Sequence, residues 1–71
     1  MDKEFWKGFT RFLDQASIKE IDKRYQEIEA YLPSVTDEDL QSDMRRCLRL
    51  LNEERVARTA LNQRKQARKP N

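Results

Sequence analysis

Between Asp2 and Gln15 the large apolar residues are Phe5, Trp6, Phe9, Phe12 and Leu13. Their spacing of i, i+1, i+4, i+7 and i+8 lines one face of an α-helix, leaving Lys3, Lys7 and Arg11 on the other. Gly8 lowers the intrinsic preference of this segment by about 1 kcal/mol relative to alanine, so the helix must be held by docking its aromatic face. Ser17, followed three residues later by Glu20 and then by an apolar repeat, has the form of a capping box. A second helix is predicted from Ile18, with Ile18, Ile21, Tyr25, Ile28 and Leu32 alternating steps of three and four. Such a seam suits antiparallel helix packing, and Pro33 is expected to end it.

Pro33-Ser34-Val35-Thr36 then reads as a short connection, with Thr36 as N-cap and Asp37, Glu38 and Asp39 in a first turn where negative charge complements exposed N–H groups. Val35 and Leu40 are placed to staple across that cap. From Asp37 nothing breaks a helix until Pro70, a run of roughly 48 Å at 1.5 Å per residue. Leu40, Met44, Cys47, Leu48 and Leu51 fall within about 100° of arc on a helical wheel, and Arg55 and Arg58 then occupy the same arc. The core-facing stripe is therefore expected to stop near Leu51 and give way to a basic overhang. Leu50, Ala57 and Leu61 share a different, narrow side of that helix, suited to seating against another helix.

These patterns predict an all-α, three-helix antiparallel bundle: helices at 3–15, 18–32 and 37–64, the first two packed on the amino-terminal half of the long third. Residues 1–61 form one helical domain in this reading, and residues 62–71 a basic tail that frays. Composition agrees. Of 71 residues, 39% are charged, with one Gly and two Pro, which leaves little material for strands and turns. Few bulky side chains are available to offset chain entropy, so the core is marginal and association with a second copy is a natural supplement.

Net charge is +2, but its distribution is uneven: residues 1–54 carry nine Lys and Arg against all 13 acids, and residues 55–71 carry six Lys and Arg and no acid. Cys47 is the sole cysteine, so no internal disulfide can form and a reducing, cytoplasmic setting is expected. No apolar run reaches the roughly 18 residues a membrane span needs, and the first residues mix charge with aromatics, unlike a secretory leader.

Catalytic chemistry has little to draw on. Histidine is absent, removing the commonest general base and imidazole ligand together. Cys47 lies on the apolar stripe and reads as a small buried hydrophobe; Gly8 stands alone, so no phosphate cradle is present. The acids at Asp37, Glu38, Asp39 and Asp43 point in different directions around a helix and are read as helix-start and solvent-facing charge, not as metal ligands. The sequence thus predicts no enzyme, no cofactor and no metal.

What remains is interaction. Trp6, at the edge of the aromatic stripe, is the expected aromatic anchor for a protein partner, with Leu50, Ala57 and Leu61 as a helix-seating seam. Arg55, Arg58, Arg64, Lys65, Arg68 and Lys69 form the candidate phosphate-contacting set, with Arg45, Arg46 and Arg49 as a patch farther back. No recognition helix or zinc motif is evident, so any such contact would be to the nucleic-acid backbone. The aromatic face opposite Lys3, Lys7 and Arg11 also has the form of an interfacial helix, but its simpler role is to complete the core, and a membrane partner is not expected.

In outline the chain is similar to the Hha/YmoA type of small bacterial nucleoid modulators. The similarity lies in an amphipathic first helix, a Ser-capped second, the Thr36-Asp37-Glu38-Asp39-Leu40 start of the third, and the Asp43-Met44-Arg45-Arg46 stretch. That family's histidine, landmark spacing and aromatic carboxyl end are not found here, and no residue role is carried over. The resemblance implies a protein that acts through a partner. A helical hairpin that dimerises into a four-helix bundle, as in the Rop type, is a further architectural analogy. The leading expectation is a small non-catalytic adaptor or regulator working by association with itself or another protein. The alternative is a nucleic-acid-associated regulator using its basic carboxyl-terminal helix.

Overall fold

The computed structural model describes the backbone through Ala67 and side chains through Leu61. Three α-helices, α1 (Lys3–Gln15), α2 (Ile18–Tyr31) and α3 (Glu38–Ala67), account for the architecture, with a 3-10 turn at Leu32–Ser34 and no strand among the described residues.

Each start is fixed by a side chain that satisfies an orphan N–H. The Asp2 carboxylate accepts from the Phe5 N–H at 3.0 Å and opens α1. Ser17 and Glu20 form the reciprocal capping box of α2: the Ser17 hydroxyl accepts from the Glu20 N–H at 3.1 Å, and the Glu20 carboxylate accepts from the Ser17 N–H at 3.3 Å. The cap of α3 is Asp37, whose carboxylate accepts from the Leu40 N–H at 3.0 Å. This corrects the assignment of Thr36 by one position. α2 ends at Tyr31 and α3 begins at Glu38, so the connection is two residues longer than expected from helices at 18–32 and 37–64; Pro33 does not simply stop α2 but sits inside the 3-10 turn. Val35 is buried at 7% exposure, and its carbonyl accepts from the Gln41 side-chain amide at 2.6 Å.

α2 and α3 lie against each other along their apolar seams, and α1 docks through bulky side chains with its backbone standing farther off. The core comprises Phe9, Ala16, Ile21, Cys47 and Leu51, with Trp6, Phe12, Leu13, Tyr25, Ile28 and Leu50 packed around it. The start of α1 lies level with Asp43, which pairs with the Met1 ammonium. Its end lies level with Arg58, which donates to the Leu13 and Ala16 carbonyls. Helix α1 therefore runs in the same direction as α3, and α2 opposes both. Long axes of 54, 24 and 15 Å and a radius of gyration of 14.8 Å describe an elongated molecule, against roughly 11 Å for a compact chain of this length.

The elongation comes from α3, but less of it projects than the apolar stripe alone implies. Arg55 and Arg58 do not begin an overhang; they continue the packed arc of Leu51 in polar form. Only residues 59–67, about 14 Å of helix, extend past the α1–α2 turn.

Candidate functional site

Two surfaces are built by this arrangement. The first is an apolar recess at the pole where α1 begins, α2 ends and α3 begins. Helix α1 contributes Phe5, α2 contributes Ile28 and Tyr31, and α3 contributes Leu40 and Met44, enclosing ≈ 270 Å³ with Met1 at the rim and Cys47 beneath. Side chains that a larger core would cover remain partly open here: Met1 is 46% exposed, Phe5 36% and Tyr31 62%. The volume is at the low end for a small-molecule pocket and sits open to solvent, which suits one or two apolar side chains of a partner. Sequence reading assigned Phe5 to the core. Whether a stripe residue is covered depends on where neighbouring helices end, and periodicity carries no such information.

The second is a cationic face. Lys3, Lys7 and Arg11 line a shallow groove along the outer side of α1 together with Trp6. The Arg46 guanidinium lies over the Trp6 ring at 4.5 Å, and Arg46 in turn shares a shallow depression on α3 with Ser42, Arg45 and Arg49. Trp6 therefore joins the cations of α1 to those of α3. It is half-buried, in edge contact with Phe5 and Phe9 at 5.1 and 6.0 Å between ring centroids, and roofed by Arg46.

The other expected contact residues are distributed as follows. Leu50 is half-buried against the core, whereas Ala57 and Leu61 are exposed, Leu61 at 55% with Val56 nearby at 59%. Arg55 is engaged three ways: it pairs with Asp22 at 2.9 Å, donates to the Asn52 side chain at 2.7 Å and lies over the Tyr25 ring at 4.9 Å. Arg58 donates to Leu13 O at 2.7 Å, to Ala16 O, and to Glu54 at 2.9 Å. Those two guanidiniums are bonded within the fold. The side chains of Arg64 and Lys65, and all of Arg68 and Lys69, lie outside the described residues.

Cys47 is 1% exposed, and burial pushes its thiol above the ordinary range. A thiol kept protonated and out of solvent is a poor nucleophile. At the pole, the hydrogen bond to Asp43 holds the Met1 ammonium above its usual range. Among the described residues no helix is long and apolar enough to cross a membrane. No family model, curated protein or solved structure matches this chain.

Proposed function

We propose that this protein is a small non-catalytic helical adaptor or regulator that acts by associating with itself or with another protein. The observation that supports this reading is the polar clustering of exposed apolar side chains. Met1, Phe5 and Tyr31 gather around one recess instead of being scattered singly over the surface. An amphipathic helix that lays an apolar side chain into that recess would cover all three, and it would supplement a core too small to be generous. The exposed Val56 and Ala57, with Leu61 on the projecting end of α3, offer a second strip of the same character.

The test is sedimentation equilibrium across a wide concentration range. Self-association predicts a mass that rises from 8.6 kDa toward twice that value and returns to the monomer in Tyr31→Asp. A monomer at millimolar concentration removes the self-associating form. Association with a different protein is then tested with a photo-crosslinking residue at position 31 in an extract of the native cell. Adducts no different from those formed at exposed position 19 would overturn the proposal.

The alternative, a nucleic-acid contact through the basic carboxyl end, loses Arg55 and Arg58 to bonds within the fold. It then rests on Arg64, Lys65, Arg68 and Lys69 alone.

A further inference from the structure

We infer that the face joining α1 to the middle of α3 is a sequence-independent docking surface for the phosphate backbone of nucleic acid, separate from both the apolar recess and the carboxyl-terminal cations. This is independent of the helix-association reading. Residues 1–54 are acidic as a block, yet folding sorts them: Lys3, Lys7 and Arg11 come to one side of α1, and Trp6 with its stacked Arg46 connects them to Arg45 and Arg49. Acids border these cations too: Glu4 stands within two turns of Lys7 and Arg11 on α1, Asp14 lines the α1 groove, Asp43 lies in the α3 depression and Glu53 is beside Arg49. Asp43 is taken by the Met1 ammonium, and Glu53 approaches Arg49 at 4.0 Å. Among the described residues, Lys3, Lys7, Arg11 and Arg45 enter no ion pair, whereas Arg55 and Arg58 are both consumed by the fold.

The layout favours a polyanion of regular charge spacing. Lys3, Lys7 and Arg11 recur every four residues, about 6 Å apart along the helix axis, and a second row follows on α3. Four of the six cations are arginines, whose planar fork pairs phosphate oxygens well. A membrane surface fits less well, because an interfacial helix must insert apolar side chains beside its cations. Here Phe9 is buried, Phe12 is packed on the core, and the Trp6 face is covered by a guanidinium. On this face the cations lie along the sides of two helices, so the contact expected is to phosphates.

The full chain, titrated into a fluorescently labelled 20-base-pair duplex at a series of salt concentrations, tests this. Each phosphate neutralised contributes about 0.9 to the slope of log affinity against log salt. The triple variant Lys3→Gln, Lys7→Gln, Arg11→Gln is expected to lower that slope by about 2.7, with the carboxyl-terminal cations constant in both proteins. All three residues are exposed, so the thermal midpoint should hold, and Arg45→Gln with Arg49→Gln gives an independent reduction of about 1.8 should the triple variant fold poorly. Trp6 is the only tryptophan, so its emission should change on binding, which contact through the carboxyl end alone would not cause. An unchanged slope in both variants, unchanged Trp6 emission, no duplex binding at low salt, or binding to anionic vesicles without binding to duplex would each overturn the inference.

Discussion

Replacing Arg58 with methionine should loosen α1 more than any other single surface substitution. The carboxyl end of α1 has no basic residue in its own last turn, and its final carbonyls are served from another helix. Arg58 is 23% exposed along its side chain and donates to two α1 carbonyls, with Glu54 holding the guanidinium from below. Here a residue 42 to 45 positions away in sequence supplies what a C-terminal lysine or glycine motif supplies elsewhere. A hydrogen bond from a charged donor contributes about 1.5–3 kcal/mol, but water can replace part of it at a half-open site. We therefore expect a net loss of about 2–3 kcal/mol. A chain of this length holds roughly 4–10 kcal/mol in total, so the loss is a large share of it.

Methionine keeps the apolar stem and removes the donors, which isolates the hydrogen bonds from packing. Urea unfolding followed by far-ultraviolet circular dichroism and by Trp6 emission measures the change, and the thermal midpoint should fall by roughly 10–20 °C. Arg58→Lys should recover less than half, because one ammonium cannot serve both carbonyls with the geometry of a fork. Arg49→Met, whose guanidinium is 67% exposed and whose nearest acid is 4.0 Å away, is the control and should change stability by under about 0.5 kcal/mol. Amide exchange should accelerate in α1 ahead of α2 and α3. An Arg58→Met protein within about 0.5 kcal/mol of the parent would refute the cap.

Three smaller effects follow from the same contacts. Gly8→Ala should stabilise by about 0.5–1 kcal/mol in thermal unfolding, because the site is helical, exposed and has open space where a Cβ would stand. Ser17→Ala should cost about 1 kcal/mol by opening the capping box, and Ser17→Asp should restore most of it. The buried Cys47 thiol should react with a disulfide reagent only as fast as the chain opens. Since its folded-state pKa is raised, its contribution is intact below the unfolded thiol pKa and is lost as pH rises past that value toward the folded one. Urea midpoints measured from pH 7 upward should fall less in Cys47→Ala than in the parent.

Much of the fold is legible locally because its boundaries are local. The Ser17–Glu20 box, the aromatic repeat of α1 and the i, i+3, i+4 seams of α2 and α3 each involve residues within one or two turns, so propensity and period suffice. The cap of α3 was legible only to within one residue, since Thr36 and Asp37 are both good caps and the 3-10 turn before them decides the register. The two surfaces proposed for interaction are less legible. Arg55 and Arg58 share the arc of Leu51, and a polarity-based reading ends the stripe there; what continues it is a pairing with Asp22, Leu13 and Ala16, 33 to 45 residues away. The recess around Phe5 and Tyr31 and the face around Trp6 depend likewise on which helix ends meet.

The arginines explain why a chain this small can hold three helices. Arg24 lies over Phe12 at 4.4 Å, Arg46 over Trp6 at 4.5 Å and Arg55 over Tyr25 at 4.9 Å, each reaching from one helix to a ring on another. Significant contacts of this type occur roughly once per 70–80 residues, so three in one short chain is a pattern and not background. At about 0.5–1 kcal/mol each they rival the Arg58 cap in sum. A guanidinium on a long stem shields half-buried rings that a larger core would enclose, while its charge stays in water. The cost is availability. Arg55 and Arg58, two of the six cations in the carboxyl-terminal quarter, are committed to the fold, while Lys3, Lys7, Arg11 and Arg45 are free of ion pairs among the described residues. Charge counted along the sequence therefore does not separate the guanidiniums that are bonded within the fold from the cations that enter no ion pair among the described residues.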